Sequence, residues 1–78
     1  MNSLFVARIH NGSLGTAVHV NSMEDGETVI RAWVKDAFNR ELTQEENEIL
    51  EETAEFIDNS DSDNNFTFSI GEIENVDN

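Results

Sequence analysis

The sequence predicts an α+β domain built as β-β-α-α-β, and three observations carry that prediction. Apolar residues alternate with polar ones on either side of Asn11-Gly12, recur at helical spacing through the middle of the chain, and alternate again from Phe66 to Ile70. Neither a strand pair nor a lone amphipathic helix can hide its apolar side by itself. The expected arrangement is therefore a three-stranded antiparallel sheet with two helices packed on one face. With 78 residues and no Cys, the chain has no disulfide to support it, and its core must come from packing alone.

The first strand is expected from Leu4 to His10 and the second from Thr16 to Asn21, joined at Asn11-Gly12, the strongest short hairpin signal. A two-residue turn pairs Ile9 with Leu14, Ala7 with Thr16 and Phe5 with Val18. That register puts Phe5, Ala7, Ile9, Leu14, Val18 and Val20 on one face. A longer turn using Gly15 is the alternative. The polar run Ser22 to Gly26 caps or precedes a helix whose apolar stripe is Val29, Ile30, Trp33, Val34, Ala37 and Phe38.

Asn39-Arg40 breaks that pattern, and Thr43-x-x-Glu46 is a capping box that opens a second helix, expected from Gln44 to Ile57. Its buried stripe is Ile49, Leu50, Thr53, Phe56 and Ile57. A polar loop is expected from Asp58 to Asn65, then a third strand on Phe66, Phe68 and Ile70. The expected core is Phe5, Ile9, Val18, Val20, Ile30, Trp33, Val34, Leu50, Phe56, Phe66, Phe68 and Ile70. Residues 1–74 form one domain and 75–78 are expected to fray.

Charge is the loudest feature. There are 17 acidic and four basic side chains, a formal net charge of −13. All four bases (Arg8, Arg31, Lys35, Arg40) precede Glu41, whereas residues 41–78 hold 13 acids and no base. Such a polyanion repels phosphate and anionic lipid, so neither nucleic acid nor a membrane is expected as a direct partner. No window approaches the ~18 apolar residues of a membrane span, and the expectation is a soluble, unprocessed, cytoplasmic monomer.

The sequence pattern carries little enzyme chemistry. His10 and His19 sit at opposite ends of the hairpin, about 20 Å apart at strand rise, too far for a dyad. Ser13 beside His10 lacks an orienting acid, and carboxylates on a solvated helix share one environment where catalytic pairs need two. Trp33 lies at core spacing with no basic groove to accompany it as a stacking platform. Asp61, Asp63, Asn65, Thr67, Ser69 and Glu72 fall at the ligand positions of an EF-hand-like calcium loop. However, Phe66 stands where the sharp turn needs Gly, and a strand pattern stands where a helix should leave. No catalytic residue, metal or cofactor is expected.

The acids themselves form the expected site. Eight lie between Glu41 and Asp58. On a continuous helix these span about 26 Å, one charge per about 3.2 Å, close to the ~3.4 Å spacing of phosphates along one DNA strand. Glu41, Glu45, Glu48, Glu52 and Glu55 make one ridge, with Glu51 and Asp58 flanking it and Asp61 and Asp63 extending it. With no base in the run, i,i+4 pairing there is wholly repulsive, which costs about 0.2–0.5 kcal/mol per contact.

In size, charge and this capped Glu-rich helix, the chain resembles phage-encoded inhibitors of host defence, chiefly anti-CRISPR proteins. It is similar more broadly to DNA-mimic proteins such as antirestriction and DNA-glycosylase inhibitors. The resemblance implies a stoichiometric, non-catalytic inhibitor, acting in the host cytoplasm, that occupies the positively charged DNA or protospacer-adjacent channel of a CRISPR effector or another basic DNA-binding protein. It assigns Glu45, Glu48, Glu52, Glu55, Asp58, Asp61 and Asp63 as phosphate mimics. The rival expectation is an antitoxin-like interaction module that docks through the hairpin edge, with Leu4, Val6 and Ala17 on the face opposite the core.

Overall fold

The computed structural model describes residues 2–61 and 63–74, with the side chains of 3–58 and 63–72. The hairpin β1 (Asn2–His10) and β2 (Ser13–Val20) comes first and the helices α1 (Met23–Phe38) and α2 (Gln44–Thr53) follow. A second hairpin, β3 (Glu55–Asp61) and β4 (Asn64–Glu74), completes the order. The sheet is four-stranded and antiparallel in the order β2-β1-β4-β3, so the two hairpins join through β1 and β4 at its centre. The α+β class is as expected, but the strand count is not. β3 takes the residues expected to form the last turn of the second helix and the start of a polar loop. The tail expected at 75–78 lies outside the described residues.

The hairpin register also departs from the two-residue expectation. Asn11 (φ 49°) and Gly12 (φ 82°) make the left-handed turn that Asn-Gly favours, and Ile9 faces Leu14 as expected. Arg8, however, faces Thr16, which leaves Gly15 as an extra residue on β2. This bulge moves every later pair by one. Val6 then faces Val18 and Leu4 faces Val20, on the helix side of the sheet, while Phe5 faces His19 and Ala7 faces Ala17 on the other. Phe5, Ala7, Ile9 and Leu14 are therefore not in the core, and Leu14 is 68% exposed. Leu4 and Val6, expected on the outer face, pack inward.

The core is Val6, Val20, Ile30, Val34, Leu50, Phe56 and Phe68, with Leu4, Val18, Trp33, Phe66 and Ile70 packed against it. Phe68 is its centre, with ring centroids 6.1 Å from Phe56, 6.2 Å from Phe66 and 6.2 Å from Trp33. The Arg8 guanidinium sits 5.9 Å from the Trp33 ring centroid, so the one base on β1 covers an aromatic face.

Three of the four helix boundaries have a local cause. Ser22 Oγ accepts from the Asp25 N–H at 3.1 Å and starts α1. Gly26 lies in the first turns of α1 against Ile70, where a Cβ would meet that side chain at 2.9 Å. The helix approaches β4 that closely because the residue is Gly. Asn39 ends α1 in the left-handed region (φ 52°). The predicted capping box opens α2, with the Glu46 N–H donating to Thr43 Oγ1 at 3.2 Å and the Thr43 N–H to Glu46 Oε1 at 2.9 Å. Ala54 (φ 58°) ends α2, and its N–H donates to Leu50 O at 2.8 Å. Because the chain turns there, Ile49 and Ile57 do not share a buried stripe and are 47% and 50% exposed. Among the described residues no helix is long and apolar enough to cross a membrane.

Candidate functional site

The acidic segment is divided by the end of α2. Glu45, Glu48, Glu51 and Glu52 lie on the helix and Glu41 on the linker before it, all exposed. Glu55 and Asp58 lie on β3, so the ridge expected to run through them is broken. From Glu45 to Glu52 the helical rise is about 10 Å, which carries four exposed carboxylates over the length of about three phosphates. Glu55 is half-buried and faces Ser69 on the side of the sheet away from the helices. Asp63 is exposed beside the turn of the second hairpin. Asp61 is paired with Asn64 in the ladder, and its side chain lies outside those described.

Asp58 is not a surface group. It is 6% exposed and faces Phe66 on the helix side of the sheet, with Arg40 Nη2 at 3.4 Å from its Oδ2. The same guanidinium makes a two-pronged contact with Glu46, at 2.8 and 3.1 Å, and lies 5.9 Å from the Phe56 ring centroid. Arg40 thus ties the cap of α2 to β3. Its hydrogen bonds hold the Glu46 carboxyl down at about 2, with the Thr43 amide and hydroxyl adding to that effect and burial opposing it. The bonds to Glu46 push the Arg40 guanidinium further up from its already high range.

Arg31 makes a second tie between the helices. Its Nε donates to Asn47 Oδ1 at 2.8 Å, and its Nη2 lies 3.6 Å from Glu27 and 3.7 Å from Glu51. The acidic segment is therefore not free of bases, as its sequence alone implied. Two arginines from the first half of the chain reach into it and engage Glu46, Asp58 and Glu51. Of the predicted site residues, Glu41, Glu45, Glu48, Glu51, Glu52 and Asp63 are exposed. Among the described residues, the carboxylates of Glu41, Glu45, Glu48 and Glu52 make no salt bridge with a Lys or Arg, although Arg40 Nη1 donates to the Glu41 carbonyl oxygen at 3.2 Å.

The calcium-loop spacing does not fold as a calcium loop. Asp61 to Asn64 closes a hairpin and Asn65 to Glu72 runs as strand, about 23 Å at ~3.3 Å per residue, so its donors cannot encircle one ion. No group of three His, Cys, Asp or Glu that could hold a metal occurs among the described residues. The residues of this loop instead lock the two hairpin turns together. The Asn11 N–H donates to Asn65 O and the Asn65 N–H to Asn11 Oδ1, both at 2.8 Å. His10 Nε2 contacts Asn64 Oδ1 at 2.9 Å, and its ring stacks on Phe66 with centroids 4.5 Å apart. His10 is engaged by β4 and its turn, although Ser13 lies directly opposite in the ladder.

Beside the acids lies a feature that the sequence reading missed. Ile49 and Thr53 of α2 and Phe56 and Ile57 of β3 line a groove of about 470 Å³ whose margin includes Glu45 and Glu55. Its signal was hidden because Ile49 and Ile57 fit the stripe of a longer helix. No protein family, curated protein or solved structure matches this chain.

Proposed function

We propose that the chain is a non-catalytic binding protein that uses the outer face of α2 to occupy a basic, nucleic-acid-binding groove of another protein in place of DNA. The anti-CRISPR and DNA-mimic resemblance points to the same class, and inhibition is by occupancy, one domain per target. The observation that carries this reading is the set of exposed carboxylates Glu41, Glu45, Glu48 and Glu52, none of which forms a salt bridge with a described Lys or Arg. Glu45, Glu48 and Glu52 follow i, i+3, i+7 on a capped helix, so three charges project from one stripe at fixed spacing. Glu51 joins them, since it is 63% exposed and only loosely held by Arg31. Asp58 is withdrawn from the role, because it is buried and Arg40 already engages it.

The mechanism follows from charge. A net −13 draws the domain to positive potential over distances set by the salt, and close carboxylate pairs with Arg or Lys of the target then fix it in place. The test is capture by the tagged chain from a bacterial lysate at low and high salt, with excess duplex DNA as competitor and identification by mass spectrometry. A nucleic-acid enzyme held at low salt, released by both DNA and salt, and lost by the Glu45→Lys/Glu48→Lys/Glu52→Lys variant is the expected result. A partner indifferent to DNA, or retained by the triple variant, sinks the reading.

A further inference from the structure

β3 is an outer strand, with β4 on one side and, among the described residues, no strand on the other. The Ile70 N–H donates to Ala54 O at 2.9 Å, so the alternation of strand peptides turns the main chain of Glu55 and Ile57 away from β4. The groove between α2 and β3 runs along that same open side. The Glu55 carbonyl on this side already accepts from Thr53 Oγ1 at 3.2 Å, so the apolar strip Ile49 and Ile57 stands beside the Glu55 N–H and the Ile57 peptide groups, which face outward toward an added strand. The charge around it selects the occupant. Glu45 and Glu55 border the groove, and a second copy would bring its own Glu55 and another net charge of −13 to the same place.

We propose that the open edge of β3 and this groove receive an extended segment of a partner protein in which Lys or Arg alternates with bulky apolar residues. The proposal rests on the reading that the partner is basic and supplies the apolar half of that contact. Side chains of an added strand alternate between the two faces of the sheet. The apolar ones lie on the helix side against Ile49. The basic ones lie on the other side, where their methylenes cover Ile57 and their charges meet Glu55. Such a contact keeps part of its affinity at salt concentrations that remove the charge-only part.

The test uses the whole chain and two fluorescent synthetic peptides of about ten residues, one alternating Lys with Leu and one alternating Lys with Ser, followed by anisotropy at about 0.1 and 0.5 M salt. The Lys/Leu peptide is expected to bind about tenfold more tightly at the higher salt, the equivalent of one buried apolar side chain. Ile49→Ser should bring it toward the Lys/Ser level, and Ile57→Ser, which removes the surface the Lys methylenes cover, should weaken both peptides alike. Leu14→Ser, at a more exposed apolar site on β2, should leave their binding unchanged. Both groove side chains are half exposed, so their loss leaves the core intact, and far-UV circular dichroism checks this.

Equal affinity for the two peptides, or indifference to both Ile variants, overturns the proposal. So does self-association of the chain that Ile57→Ser abolishes, which would put a second copy in the groove. Glu48→Lys/Glu52→Lys lies outside the groove lining and separates the two readings. If the lysate partner is retained by it while the Ile variants still weaken the peptide, the helix-face reading fails and the groove stands.

Discussion

Arg40 shows how one side chain converts a sequence feature into a different structural role. It sits three residues before the capping box, where local pattern marks it only as part of a helix break. In the fold it holds Glu46 by two hydrogen bonds and Asp58 by a third, across 18 positions of sequence. The Glu46 carboxyl, held at about 2, lies below its ordinary value of 4.5. A depressed carboxyl adds stability that is fully present above its unfolded pKa and is lost as pH falls from about 4.5 toward 2. Glu46→Gln should therefore destabilise the fold by about 1–2 kcal/mol at pH 7, since a charge-assisted pair is replaced by weaker bonds at a partly exposed site. The difference from wild type should shrink as the pH is lowered through that window. Urea melts at pH 7, 4 and 2.5 measure this directly, and a constant difference at all three would remove the Arg40 pair as the cause.

At the scale of elements, two boundaries decided where the side chains went. The Thr43 and Glu46 cap was legible because a capping box is a local, reciprocal device within four residues. The end of α2 was not. Ala54 carries no stop signal, and the apolar residues after it fit a continuing helix; what turns the chain is the pairing of β3 with β4, Phe56 facing Phe68. Ala in the left-handed region costs about 1 kcal/mol that Gly does not. Ala54→Gly should accordingly raise stability by about 0.5–1 kcal/mol, read as a higher urea midpoint, after allowing for the greater freedom of Gly in the unfolded chain. A lower midpoint would mean that this turn is held by contacts of the Ala54 methyl. The Gly15 bulge is the second boundary. One residue inserted on β2 puts Leu4 and Val6, in place of Phe5 and Ala7, on the face of Val18 and Val20, because side chains alternate with a period of two.

For the whole molecule, the distribution of charge is a tertiary result. Arg8, Arg31 and Arg40 are all engaged within the fold, on Trp33, on Glu27, Asn47 and Glu51, and on Glu46 and Asp58. The three arginines consequently do little to neutralise the outer face of α2, where Glu45, Glu48 and Glu52 repel one another. Screening should relieve that repulsion more than it weakens the partly buried Arg40 cluster. Raising salt from about 0.02 to 0.2 M is expected to raise the melting temperature by roughly 3–5 °C, the equivalent of somewhat under 1 kcal/mol in a domain of this size. A flat or falling melting temperature would show that the exposed carboxylates are too far apart to repel.

The sequence by itself determined the α+β class, the Asn-Gly turn, both helix starts and most of the inward residues, because each is written in patterns a few residues long. Val20, Ile30, Val34, Leu50, Phe56 and Phe68 were expected inside and are buried. Only the tertiary structure decided the fourth strand, the hairpin face, the inward turn of Asp58 and the groove at Ile49 and Ile57. Each depends on what a segment meets far along the chain: Glu55 to Asp58 form strand because β4 is there to pair with them, and Asp58 is buried because Arg40 is there to receive it. Local preference cannot encode a partner ten or more residues away, so an acidic run legible as one helical ridge folds as a helix face and a strand with separate roles.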